Sequence, residues 1–323
     1  MFQRVMVPLD GSPFGEQALT AALWVARRST AQLQLVHVRA AIPEIVEKRE
    51  GGWVDRASDY LETTAQRVSE ELGAPVAAEV LEDHLTEVLF SSRPRKAIAE
   101  ALQAYVAEHG VDLIVMTTHG RGGLDRAWLG SVADSLIRQA TVPLLLIRPD
   151  SKKEGIGQTE FRVKHILIPL DGSARGELIL DHALRLGRLE GARYTLFHAV
   201  STPIAVDTGF VAPAAYLDTV IMEERKRQAE DYLAGVAERL KSESLSVDTA
   251  VVVDSNPAGA IRAFAAEAGV DLIAMGTRGF GGGKRLLLGS VTDKVIRTAD
   301  RPLLVFNTGA EGANGRGGAL DER

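Results

Sequence analysis

Blocks of sequence recur in a fixed order along the chain, and this duplication limits the fold more than any other feature. Val7-Pro8-Leu9-Asp10-Gly11-Ser12 returns as Ile168-Pro169-Leu170-Asp171-Gly172-Ser173, 161 residues later. Gly110-Val111-Asp112-Leu113-Ile114-Val115-Met116 returns as Gly269-Val270-Asp271-Leu272-Ile273-Ala274-Met275, and Leu129-Gly130-Ser131-Val132 as Leu288-Gly289-Ser290-Val291, both 159 residues on. Such nearly constant spacing implies one whole domain copied rather than a solenoid of short units. A length of 323 residues suits two domains, because single cores stop growing beyond about 250 to 300 residues. The expected domains are 1–149 and 162–308, joined by a polar, Gly-containing linker at 150–161 and followed by a loose Gly-rich tail at 309–323.

Within each copy, short apolar runs alternate with helical periodicity. In the first, strands are expected at Arg4–Leu9, Gln32–Val38, Val76–Leu81, Leu113–Thr117 and Leu144–Ile147. Runs this continuously apolar suit parallel strands covered on both faces. Between them, Tyr60, Leu61, Thr64, Ala65, Val68 and Leu72 fall on one helical face, and Gly73 is placed to end that helix. Ala229, Tyr232, Leu233, Val236, Ala237 and Leu240 repeat the pattern. The alternation predicts an α/β fold of two repeated, doubly wound parallel sheets with right-handed crossovers. Pro94 matches Pro257 at an offset of 163 before the offset falls to 159, so the helix there should be four residues longer in the first copy.

Ligands of such sheets gather at the carboxyl ends of the strands, near a switch in strand order. The most distinctive segment, Met275 to Val291, lies there: it leaves a strand, crosses a Gly-rich loop and enters a helix. Glycines admit a close backbone approach, and a helix start offers amides and a positive dipole end, so phosphate is the natural guest. The pattern is Gly276, two residues, Gly279, nine residues, Gly289-Ser290. In the first copy Gly120, nine residues, Gly130-Ser131 is intact, but Thr117 stands at the first glycine. A β-branched side chain there would intrude on a ligand passing close to the backbone.

Competing motifs fail. Arg285 replaces the Ser/Thr that a P-loop needs after Gly283-Lys284, and no G-x-G-x-x-G is present. Ser131 with Asp134, and Ser290 with Asp293, read as capping boxes at the helix starts. Arg121, Arg126, Arg278, Lys284 and Arg285 crowd the loops as solvated charge or as partners for β- or γ-phosphate. His37 and His198 sit inside apolar strands as packed, hydrogen-bonded residues, and the seven histidines show no metal-ligand spacing.

The glycine spacing, Asp-Gly-Ser after the first strand, His198 and Val-Asp-Leu-Ile before the loop together resemble the ATP-binding universal stress proteins over nearly all of both repeats. The resemblance implies five-stranded sheets of order 3-2-1-4-5 in a Rossmann-like, adenine-nucleotide-binding alpha-hydrolase-like architecture. It implies ATP, with or without Mg²⁺, as cofactor. Asp10 and Asp171 would meet the ribose, Val38 and Met116, or Ala199 and Met275, would line the adenine pocket, and Val132 and Val291 would accompany the serines at the phosphate end. It further implies that the last strands, at Pro143 and Pro302, pair the two domains about a pseudo-two-fold axis within one chain, with or without a homodimer.

A net charge of −6 argues against nucleic acid and anionic membranes as partners. With no cysteine, thiol catalysis and disulfides are excluded. No stretch approaches the roughly 18 apolar residues of a membrane span, and the start lacks a signal-peptide pattern, so a cytoplasmic protein is expected. The leading function is a nucleotide-responsive regulator of stress adaptation. A slow ATPase and a nucleotide-free interaction scaffold with a degenerate first site are the alternatives, and no nucleophile and base pair marks a conventional enzyme.

Overall fold

The computed structural model describes residues 1–40, 53–83, 94–119, 129–150, 160–202, 212–277 and 288–309. They form two compact units, Met1–Arg162 with Pro302–Arg323, and Val163–Arg301.

The first unit runs β1 (Arg4–Pro8), α1 (Pro13–Glu16), α2 (Ala18–Ser29), β2 (Gln32–Ala40), α3 (Trp53–Leu72), β3 (Val76–Asp83), α4 (Pro94–His109), β4 (Leu113–Thr117), α5 (Ser131–Gln139) and β5 (Leu144–Ile147). Its strands lie in the order β3-β2-β1-β4-β5, the expected order. β1 is central: Val5 pairs with Leu33 of β2 on one side and Leu113 of β4 on the other, both parallel. The chain therefore winds outward in both directions from β1, which opens a crevice at its carboxyl end. Val5, Met6, Val7 and the whole of β4 are buried, as apolar strands covered on both faces should be. On α3 the stripe Leu61, Thr64, Ala65 and Val68 turns inward.

Asp112 explains the Val-Asp-Leu-Ile motif. Its carboxylate accepts from the amides of Gln3 and Arg4 at 2.9 and 3.1 Å, locking the starts of β1 and β4 together. The ends of the linker also rest on this unit: Gln17 clasps both backbone groups of Asp150, and Phe161 packs edge-on against Trp24. The strand β10 (Leu303–Phe306) is grouped here as well, antiparallel to β5 with Leu303 opposite Leu146.

The second unit repeats the plan: β6 (His165–Pro169), α6 (Ala174–Glu177), α7 (Ile179–Gly187), β7 (Arg193–Val200), α8 (Ala212–Lys241), β8 (Val247–Val253), α9 (Pro257–Glu267), β9 (Leu272–Gly276) and α10 (Ser290–Thr298). Ile166 of β6 pairs with Tyr194 of β7 and with Leu272 of β9, and β7 pairs with β8. Asp271 repeats the lock of Asp112, accepting from Lys164 and His165 at 2.8 and 2.9 Å.

Two expectations need adjustment. The helix α4 has 16 residues and α9 has 11, so the difference is one more than the insertion alone, because His109 is counted as helical and its counterpart Ala268 is the C-cap. The strands β3 and β8 are not covered on both faces: they are edges, and most of their residues are partly or fully exposed. The linker residues 151–159 and the tail 310–323 lie outside the described residues. No described helix is long and apolar enough to cross a membrane.

Candidate functional site

The site begins with the turn after the first strand of each repeat. Asp171 Oδ1 accepts from the amide and hydroxyl of Ser173 at 3.1 and 2.6 Å, and Ser173 Oγ accepts from the Gly176 amide at 3.0 Å. Asp10, Ser12 and Gly15 repeat these bonds at 3.0, 2.6 and 3.1 Å. Asp-Gly-Ser is thus an aspartate turn fused to a serine N-cap. The third partner must be glycine: a Cβ at Gly176 would lie 2.8 Å from Asp171 Oδ1, and one at Gly15 2.7 Å from Asp10 Oδ1. The turn holds the carboxylate at the carboxyl edge of the sheet.

The fourth strand delivers the second part. The amide of Gly289 donates to the Thr277 carbonyl at 2.8 Å, and that of Gly130 to Thr118 at the same distance. These bonds seat each helix start against the strand exit, and a Cβ at Gly130 would come 3.1 Å from the Thr118 carbonyl. The glycines, not the serines, are the N-caps, and no side chain among the described residues caps either helix. The expected capping boxes are therefore absent. Ser131 and Ser290 are the first helical residues, one position too late, and the acidic partners turn forward instead. Asp134 pairs with Arg138 at 2.9 Å and Asp293 with Arg297 at 3.0 Å, one helical turn on. With no cap, the first amides of α10 are left for solvent or an anion.

The strand exits differ between repeats. In the second, Thr292 of α10 donates to the Gly276 carbonyl at 2.9 Å. In the first, Thr117 donates from its own side chain to the His119 carbonyl at 2.8 Å, and it is buried.

These parts enclose a cleft of about 810 Å³ in the second unit, within the roughly 300–1,000 Å³ typical of small-molecule sites. Asp171, Ala199, Met275, Gly276, Gly289, Ser290 and Val291, seven of the residues singled out by sequence, come together on its wall. Met275 and Ile261 are buried and give one side an apolar character. In the first unit Asp10 follows β1, Val38 lies on β2, Met116 and Thr117 end β4, and Gly130, Ser131 and Val132 open α5, the same relative places. Gly120 and Gly279, with Arg121, Arg126, Arg278, Lys284 and Arg285, lie outside the described residues.

Sequence reading missed the wall that α8 supplies. Arg225, Gln228 and Tyr232 line the cleft from one face of that helix, at i, i+3 and i+7. Arg225 and Gln228 read as a solvated face beside the core stripe, and Tyr232 as a member of that stripe, until α8 is placed over the strand ends. Thr292 was missed because a helical threonine gives no sign of where it bonds.

The histidines differ from one another. His37 Nδ1 lies 2.8 Å from the Leu9 carbonyl, as expected. Its repeat His198 lines the cleft, and among the described residues its Nδ1 makes no hydrogen bond of normal geometry, contrary to the expectation. Burial lowers its pKa, opposed by the nearby Leu170 carbonyl and by Asp171.

A parallel sheet with a ligand-sized cleft over the strand ends at its switch point makes the second unit a Rossmann-like domain, and the first unit repeats its order of elements. The sequence profile of the universal stress protein family matches residues 1–148 and again 162–307. A universal stress protein of Mycolicibacterium smegmatis is 26% identical over 304 residues, 93% of this chain and 96% of that one. One from Mycobacterium tuberculosis is 27% identical over 306 residues, with the same coverage. A solved universal stress protein structure from Archaeoglobus fulgidus shares the fold at a TM-score of 0.64 and 20% identity, over 94% of this chain and 98% of that chain. The chain belongs to the universal stress protein family, with two of its domains in tandem.

Proposed function

We propose that the second repeat binds ATP in this cleft and that occupancy makes the chain a nucleotide-responsive regulator of stress adaptation. The observation that carries the reading is the convergence on one cleft of a turn-held carboxylate, an apolar wall and an uncapped helix start. Each suits one part of the ligand. Met275, Ala199 and Ile261 would take the adenine by burial of its faces. Asp171 would accept from the ribose hydroxyls, a charge-assisted bond. The amides of Ser290 and Val291 would meet the phosphates, and the bare backbone at Gly276 would let the sugar pass close to the strand. Mg²⁺, when bound, would supply neutralising charge to the phosphates.

The first repeat carries the same turn and helix start but has Thr117 at the strand exit, so it is read as the weaker or empty site. Regulation without turnover is the reading this lining favours, since its described residues offer binding groups and no nucleophile poised beside a base. On this reading the protein works in the cytoplasm and the two repeats act as an intramolecular pair.

The test is direct. Purified protein is denatured and the released small molecules are chromatographed, and ATP binding to nucleotide-free protein is measured by calorimetry. Released adenine nucleotide with a binding isotherm is expected; neither nucleotide nor heat would reject the reading. A multiple-turnover phosphate-release assay separates regulator from ATPase: sustained release that collapses in Gly279→Asp would favour the enzyme.

A further inference from the structure

The short helix α6 and the long helix α8 are joined by a three-residue brace. The Tyr232 hydroxyl donates to Glu177 Oε1 at 3.0 Å, and Arg239 donates to Glu177 Oε2 at 2.6 Å. The first repeat has the same brace, with Tyr60 to Glu16 Oε1 at 3.0 Å and Arg67 to Glu16 Oε2 at 2.5 Å.

The two arms are unequal. Arg239 is 57% exposed, so its ion pair is screened and holds little. Tyr232 is half-buried on the cleft wall, and its bond to a carboxylate is charge-assisted. Burial first, then the negative charges of Glu177 and Asp171, push the phenol pKa up, so Tyr232 stays protonated and keeps donating.

The brace acts on a weak element. A helix of four residues does not hold itself. Besides its packing on β9 and its run into α7, it is fastened by the Ser173 cap at one end and Glu177 at the other. Glu177 directly follows Gly176, the residue packed so closely on Asp171 Oδ1 that no Cβ fits. Movement of Glu177 is therefore passed through one backbone residue to the aspartate turn.

We infer that Tyr232 is a positioning residue: through Glu177 it fixes α6 and, with it, the Asp171 carboxylate in its ligand-facing pose. The consequence for ligand rests on the proposal that Asp171 meets the ribose of an adenine nucleotide. Nothing in the glycine motif points to Tyr232, and its place on the cleft wall gives α8 a role in binding beyond packing.

The experiment uses the full chain as Y232F, with Y60F as the matched loss in the other repeat and E177Q as a second variant that weakens the brace without changing shape. Amide hydrogen exchange at Ser173 and Gly176, in nucleotide-free protein, is expected to speed up about tenfold in Y232F and E177Q and to stay at the wild-type rate in Y60F. Affinities for ATP and for 2′,3′-dideoxy-ATP are then compared. ATP should weaken about tenfold in Y232F while the dideoxy analogue, with no hydroxyl to offer Asp171, changes by less than about twofold. Unchanged exchange in both variants overturns the inference. Equal weakening of the two nucleotides also overturns it, by giving Tyr232 a general packing role. Wild-type protein that binds neither nucleotide, with exchange still faster in Y232F and E177Q but not in Y60F, would reject the nucleotide reading and leave the brace on Asp171 standing.

Discussion

The first repeat leaves its fourth strand through a threonine and the second through a glycine, and between them one hydroxyl has changed place. Thr117 carries it on β4 and bonds forward to His119 at 2.8 Å. In the second repeat it sits on α10, where Thr292 bonds back to Gly276 at 2.9 Å. The counterpart of Thr292 in the first repeat is Ala133, 159 residues earlier. Either arrangement fastens the strand exit by one hydrogen bond. They differ at the strand exit: a buried β-branched side chain in the first repeat, and bare backbone on the cleft wall in the second. Duplication has kept the scaffold bonds of Asp112 and Asp271 and of the two aspartate turns, while the exit of the fourth strand has diverged.

The largest effect should come from moving the hydroxyl back. Gly276→Thr places a branched side chain on the cleft wall, where a loss of about 3 kcal/mol in the bound state is expected, so calorimetry should show ATP affinity more than a hundredfold weaker. The paired exchange T117G/A133T is the converse and should raise bound nucleotide per chain. An exchange that leaves stoichiometry unchanged would show that the difference between the repeats lies elsewhere.

Asp171→Asn, which keeps the size of the turn but removes the charge, should weaken ATP by about 2 kcal/mol, whereas Asp10→Asn should change affinity little. Equal losses from both variants would erase the contrast.

Acid should separate the units as well. Burial lowers the pKa of His182 from 6.5 to about 4, assisted by Arg185 and opposed by Asp181. Its counterpart in the first repeat is Ala21. Above pH 6.5 both folded and unfolded states hold a neutral imidazole, and the contribution to stability is complete. As pH falls toward 4 the unfolded chain takes up a proton that the folded chain refuses, so stability drops across that window. Denaturant melts across that window should show the loss, and His182→Gln should flatten it. The smallest effect is Thr292→Ala, which removes one neutral hydrogen bond and should cost about 1 kcal/mol in the second unit's unfolding.

Much of this was legible in the sequence. All five expected strand starts in the first repeat agree with the structure, because apolar runs and glycines mark where buried parallel strands begin. Strand ends were less so. β2 and β3 run on to Ala40 and Asp83, past the expected Val38 and Leu81. Arg39 and Glu82 stand opposite each other there and form an ion pair, so a cross-strand charge pair extends the ladder where hydrophobicity has stopped. The seven second-repeat residues on the cleft were legible because they lie at the carboxyl ends of strands, follow one or open a helix. Arg225, Gln228 and Tyr232 were not, since their role depends on where a 30-residue helix lies relative to distant strands. The capping boxes misled because a backbone bond from Gly289 to Thr277 takes the cap position before Ser290 can.

Whether the repeats share a ligand site as well as a scaffold is read from the amount of adenine nucleotide bound per chain. Saturating nucleotide-free wild-type protein with ATP should give about one nucleotide per chain, lost in Gly276→Thr and retained in Asp10→Asn. Two per chain at comparable affinity would contradict the account, because the first repeat would then bind despite Thr117.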